Sequence, residues 1–269
     1  MPKDRGEPRR DDAFWYEFLS RGDSNERRVR SALKLLPASP RCTLCAAPFA
    51  GVGGTLMRAI GKRPSDKNPA MCNSCFQFII EHHGGAEIDV TMLFADIRGS
   101  TAMAETMTPA AFRERLDRFY VAATAVVQAN DGGVDKFVGD ELVAMFFPLL
   151  SGPDHTARAV ETAVRLLRAT GHDDPDGPWL PVGAGVHTGK AWVGAVGDAA
   201  HTELTAVGDT VNVAARLAAA AAAGEVIVSA DAAKAANLDA GLDRRMLDLK
   251  GKGAPFEVVS VRIGATVGV

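Results

Sequence analysis

The sequence predicts an α+β domain from about residue 88 onward, preceded by a small cysteine-bearing module. Three observations lead there. Short apolar runs with strand character, such as IDVTML, GVDKFV, ELVAMFF, EVIVS and FEVVSVRI, alternate with stretches of helical period. Glycine-containing turns join neighbouring runs, which favours antiparallel pairing. No internal repeat is present, so one sheet with helices packed on one face is the expected architecture.

The elements follow in order. Residues 1–41 are charged and punctuated by proline, with short helices expected at FWYEFL (14–19) and ERRVRSALKLL (26–36). The second helix would set Val29, Leu33 and Leu36 on one stripe and turn a basic face to solvent. Residues 42–84 hold all four cysteines, and GGAE (84–87) reads as the joint to the domain at 88–263. There the strand IDVTML runs into FADIRGST (94–101). After TPAA, the residues Phe112, Leu116, Phe119, Ala123 and Val126 recur at helical spacing. GVDKFV and ELVAMFF flank Gly139–Asp140 as a hairpin, and His155–Ala169 forms the next helix. PVGAGVH and KAWVGAV suggest a second hairpin about Thr188–Gly189, with His187 a hairpin residue. Thr210–Ala223 is an alanine-rich helix, EVIVS a short strand and FEVVSVRI (256–263) the closing strand.

Composition narrows the function. With 47% hydrophobic and 23% charged residues, the chain is built to bury a core. No apolar run approaches the ~20 residues of a membrane span, and the N-terminus lacks a secretory apolar segment, so a cytoplasmic location is expected. Net charge is −3, with 14 Lys+Arg against 10 Asp+Glu through residue 87 and 16 against 23 thereafter. An acidic larger part with few aromatics does not suit nucleic acid.

Asp96 and Asp140 each end an apolar strand signal beside glycine. A buried carboxylate costs several kcal/mol, roughly, unless its charge is compensated. On adjacent central strands the two would lie side by side and could share Mg2+ or similar ions, with waters and phosphates completing the coordination. Gly99, Ser100 and Thr101 would then open a short helix whose free N–H groups can hold phosphate oxygens.

FADIRGST, DKFVGDELVAMF and VGDTVNVAARL, in this order, resemble the catalytic core of class III nucleotidyl cyclases over residues 88–262. The resemblance implies a ferredoxin-like fold, a head-to-tail homodimer with shared sites, and conversion of a nucleoside triphosphate to its 3′,5′-cyclic monophosphate and pyrophosphate. It implies that Asp96, Asp140 and the Ile97 carbonyl hold two Mg2+ or Mn2+ ions. Asn212 and Arg216, four apart on one helix face, would orient the ribose and stabilise charge on the α-phosphate. Lys250 of KGKG would bind the triphosphate. The adenine-reading lysine of the family corresponds to Lys136. Its usual partner, an aspartate, is replaced by Thr205, which matches the IIIb adenylyl subset and points to ATP. Several IIIb enzymes respond to bicarbonate, so the same regulation is an expectation here. A guanylyl cyclase would carry Glu in place of Lys136. A diguanylate cyclase has a related fold and a signature similar to VGDEL, but its chemistry uses neither VNVAAR nor Lys136, and a catalytically dead homologue would have lost a metal aspartate or the arginine.

GAGVHTG (183–189) looks like a phosphate loop, but a hairpin is the wrong context for one. Cys42, Cys45, Cys72 and Cys75 form CxxC, 26 residues, CxxC. In a reducing compartment this spacing indicates metal more than disulfides. Zn2+ on four thiolates can fold a segment too small for its own core, and an iron–sulfur cluster uses the same ligands.

Overall fold

The computed structural model describes residues 10–21, 24–36, 40–197 and 202–264. The chain forms two compact units. The first comprises Met1–Asp89, Phe147–Leu149 and Lys190–Gly208, and the second Val90–Phe146, Leu150–Gly189 and Asp209–Val269. In chain order the elements are α1 (Arg10–Arg21), α2 (Ser24–Lys34), α3 (Gly51–Ala59), α4 (Asn73–Glu81), β1 (Gly85–Ile97), α5 (Ser100–Thr106) and α6 (Pro109–Ala129). They continue with β2 (Gly133–Val138), β3 (Glu141–Phe146), α7 (Pro148–Ser151), α8 (His155–Ala169), β4 (Val182–Gly197), β5 (Thr202–Val207), α9 (Asp209–Ala220), β6 (Glu225–Ser229), α10 (Ala230–Ala235), β7 (Asp243–Leu247) and β8 (Phe256–Arg262).

In the first unit, Trp15 and Leu19 stand four apart on α1 and are fully buried. The Trp15 indole donates to the His82 carbonyl at 2.8 Å, tying α1 to the end of α4. The basic face of α2 is not wholly solvated as expected. Arg30 is buried and donates to the Thr43 and Leu44 carbonyls at 2.8 and 2.5 Å, while Val29 of the apolar stripe is half exposed. The orphan carbonyls of the cysteine loop supply a stronger reason to bury that guanidinium than amphipathicity supplies to expose it.

Strands run in the order β2-β3-β1-β4-β6-β8-β7, with β5 on β4. The hairpin about Gly139–Asp140 forms as expected, but the one about Thr188–Gly189 does not. Instead β4 passes straight through, pairing in parallel with β6 through Ala184–Val186 and antiparallel with β5 through Trp192–Gly197. The sheet is therefore mixed. Gly189 serves a close approach and not a turn, since a Cβ there would lie 2.9 Å from Thr210 Oγ1. His187 is consequently a buried strand residue, hydrogen-bonded to Ser229 Oγ at 2.8 Å.

The expectation of helices on one face also needs correction. Phe119, Leu166, Val226, Val228 and Val259 belong to one core cluster, whereas Val213, Leu217, Ile227, Leu249 and Val258 form another. Because successive strand residues point to opposite faces, the runs EVIVS and VV demand cover on both, and α9 supplies the second layer. Its seat is Gly185, where a Cβ would fall 2.1 Å from Ala218 N and 2.7 Å from Ala214 O. Gly185→Ala is expected to destabilise the protein by about 2–3 kcal/mol, as overpacking against backbone does. A thermal melt matching wild type would show that α9 does not rest directly on β4.

Candidate active site and metal centre

β1 and β3 pair antiparallel from Thr91↔Phe146 to Asp96↔Glu141, so Asp96 and Glu141 face each other on the last rung. Asp140 sits immediately before β3 in the two-residue turn from β2. Gly139 ahead of it takes the left-handed φ of 61° that a tight hairpin requires. Tyr120 of α6 holds this turn: its hydroxyl donates to the Gly139 carbonyl, and its ring stacks on Phe137 at 4.1 Å.

Three carboxyl groups thus gather at one strand end with Arg98. The Arg98 Nη2 donates to Asp96 Oδ2 at 2.8 Å, its Nε to the Asp96 carbonyl at 3.2 Å, and its Nη1 to Ala219 O at the end of α9 at 3.2 Å. That one cation does not balance the site. Burial pushes Asp96 above the usual carboxylate range, Arg98 pulls it back, and Asp140 adds to the push. Glu141 is raised to about 7, by burial first and then by Asp96 and Asp140. Excess negative charge on hard oxygen donors fits Mg2+ or Mn2+. Ile97 is buried beside them, and Gly99, at φ 72°, caps α5, where Ser100 and Thr101 begin the helix.

A second group lies on α9. Asn212 is exposed and Arg216 half-buried, one turn apart. The turn at Gly251 packs against the Arg216 guanidinium, since a Cβ on that glycine would stand 3.5 Å from Nη2. Lys252 of this turn pairs with Asp209 at the start of α9, whereas Lys250 is exposed. Lys136 lies on β2, half-buried, its ammonium 3.8 Å from Asp135. Thr205 is buried on β5 opposite Gly194 and belongs to the first unit. One subset therefore assembles about Asp96 and another about Arg216. Arg98, Glu141 and Lys252 escaped the sequence reading, although each directly neighbours a motif residue; an ionisable side chain two residues after Asp96 was the available signal.

The four cysteines converge in the first unit, with their Sγ atoms all within 4.8 Å of one another and Cys45 to Cys72 at 3.8 Å. A metal–sulfur bond of about 2.3 Å makes the edge of a tetrahedron about 3.8 Å, so the set fits a single ion. The Cys72 N–H donates to Cys42 Sγ at 3.2 Å, a backbone bond that orients the ligand. Lys62 loses some basicity to burial, but the four sulfurs outweigh this and hold it above its ordinary value.

Residues 85–268 match the family described as adenylate and guanylate cyclase catalytic domain. The chain belongs to this family. Among curated relatives it is 30% identical over 137 residues to an adenylate cyclase of Anabaena cylindrica, covering 48% of this chain and 26% of that one. It is 34% identical over 144 residues to adenylate cyclase 1 of Rhizobium meliloti, covering 51% and 22%. The matched stretch thus spans about a quarter of the length of these relatives. Among solved structures, the guanylyl cyclase Cya2 superposes with a TM-score of 0.62 at 25% identity, covering 69% of this chain and 98% of that one. The adenylyl cyclase CyaB from P. aeruginosa does so at 0.58 and 24%, covering 66% and 95%. The part of the chain that matches, residues 85–268, therefore has the cyclase fold, and among the described residues no helix is long and apolar enough to cross a membrane.

The carboxylates of this cyclase domain repel one another when no cation is bound. Asp140→Asn, melted without added divalent cations, is expected to gain about 1 kcal/mol, roughly 2–4 °C in Tm. A lower Tm than wild type would contradict the repulsion.

Proposed function

We propose that the protein is a class III adenylate cyclase that converts ATP to 3′,5′-cyclic AMP and pyrophosphate in a homodimer. The observation that carries this reading is the meeting of Asp96 and Asp140 at neighbouring strand tips, with more negative charge than Arg98 neutralises. Asp96, the Ile97 carbonyl and Asp140 are the groups that would hold Mg2+ or Mn2+, whose chemistry when bound is to acidify a hydroxyl and offset phosphate charge. Arg216 donates its planar fork to the α-phosphate, where charge builds as the ribose 3′-oxygen attacks, and Asn212 orients the ribose. The backbone of Gly99, Ser100 and Thr101 receives phosphate oxygens. Lys250 or Lys252, both on the turn beside Arg216, meets the triphosphate. Two curated relatives named adenylate cyclase support the same activity.

Lys136 would donate to adenine N1, and the Thr205 hydroxyl would accept from the N6 amine, giving the IIIb pairing. Because a hydroxyl also donates, GTP is the second reading, favoured by the likeness to the guanylyl cyclase Cya2. In the dimer, Asp96 and Asp140 come from one protomer and Lys136, Thr205, Asn212 and Arg216 from its partner. Cys42, Cys45, Cys72 and Cys75 would hold Zn2+. Residues 1–41, 42–84 and 88–263 act as a leading segment, a metal module and the cyclase domain.

Purified protein with ATP and Mn2+ or Mg2+ is expected to release 3′,5′-cyclic AMP. Asp96→Ala, Asp140→Ala and Arg216→Ala should each lose at least about 100-fold in rate. Mixed under subunit exchange, the Asp96 and Arg216 variants should regain activity through one intact site; no recovery would overturn the shared site, and no cyclic product from ATP would overturn the function. Repeating the assay with bicarbonate at fixed pH tests regulation through Thr205, and an unchanged rate would exclude it.

A further inference from the structure

Each CxxC pair of the cysteine centre is asymmetric. Its first member is buried: Cys42 is 2% and Cys72 0% exposed. Its second member, Cys45 or Cys75, is only half-buried and lines a cavity of about 300 Å3. The two CxxC turns thus direct one sulfur each into the interior and one each toward this space. Its walls are largely apolar, built by Leu44 and Leu149 and by Phe18 and Phe78, whose rings lie 5.2 Å apart. Among the lining residues Arg30 and Lys62 are cationic and none is acidic. Partial exposure beside fixed positive charge is the environment in which thiolate sulfur reacts.

We propose that Cys45 and Cys75 form a modification site for small uncharged hydroperoxides, and that their oxidation expels the metal ion. The proposal rests on the four-cysteine ion site. One of the two thiolates attacks the terminal O–H oxygen of the peroxide; the O–O bond breaks, an S–O bond forms and hydroxide departs from hydrogen peroxide, or the alkoxide from an organic hydroperoxide, leaving a sulfenic acid. The second thiolate attacks that sulfur; the S–O bond breaks, the S–S bond forms and hydroxide departs. Two thiolates lose two electrons to one peroxide, and two metal–sulfur bonds are lost with them. The sulfurs lie within 4.8 Å, so closing the disulfide needs only a small shift once the ion no longer holds them. Cys42 and Cys72, shielded by burial, are left as an incomplete ligand pair. Lys62 and Arg30 favour the departing hydroxide, while the phenylalanine and leucine walls disfavour charged and bulky oxidants.

The test uses the full chain. Metal content is measured first, after Zn2+ loading; the protein then receives one equivalent of hydrogen peroxide, with metal release followed by a chelating dye and disulfides mapped by mass spectrometry. The expected result is release of one ion per peroxide consumed, a Cys45–Cys75 disulfide, and recovery on adding reductant and Zn2+. Glutathione disulfide, charged and bulky, should act at least tenfold more slowly. Val29→Trp, which fills the cavity and leaves every ligand in place, should slow the peroxide reaction by a similar factor. A chain that takes up no metal sinks the ion site itself. A loaded protein that keeps its metal, forms disulfides through Cys42 or Cys72, or reacts as fast with glutathione disulfide or after Val29→Trp overturns the modification site alone.

Discussion

The charge gathered at the tip of β1 is the constraint on which the rest of the catalytic unit depends. Asp96, Asp140 and Glu141 stand together at the ends of buried strands, with one arginine among them. A sheet can carry such a group because its central strands, β1, β4 and β6, are largely apolar and buried, so that the cost is local and offset elsewhere. Burial raises Asp96 and Glu141 before any neighbour is counted, and the neighbouring carboxyls add to it. The protein alone does not balance this charge, and in the function proposed above cations and phosphates would do so.

The scaffold aims these groups with few parts. The register of β1 on β3 sets Asp96 against Glu141, and the glycine turn from β2 brings Asp140 to the same end. Gly185 lets α9 sit on β4 at backbone contact, which fixes where Arg216 emerges. Arg98 then spans the two groups, reaching Asp96 with one nitrogen and the Ala219 carbonyl with another. A guanidinium fork suits that double duty, because its donors hold fixed directions.

Much of this was legible in the sequence. The carboxylates announced themselves by ending apolar runs, and the hairpin at Gly139–Asp140 by its turn chemistry. The cysteines did so by spacing. What was missed has physical reasons. Thr188–Gly189 looked like a turn, yet its glycine is there to admit Thr210, a contact remote in sequence. β7, with the sequence DRRML, carries too little apolar alternation to signal a strand; it is held instead by pairing with β8 and by Arg245 on the buried Glu225 at 2.9 Å. β6 was recognised, but its two buried faces implied a second helical layer that the one-face expectation did not include. Arg98 had a local signal in its place two residues after Asp96, but its second partner, the Ala219 carbonyl, is fixed only by the fold.

The first unit solves a different problem. Its small apolar core is supplemented by the Trp15 bond to α4, by Arg30 on the cysteine loop and by four converging sulfurs, in keeping with the metal dependence of short segments. The charge logic of the strand tips is tested most directly by a diffraction experiment. Crystals grown with Mn2+ and a non-cyclisable ATP analogue should show anomalous density between the Asp96 and Asp140 carboxylates, with the α-phosphate beside it. Manganese bound elsewhere, or those two carboxylates turned away from the nucleotide, would contradict the account.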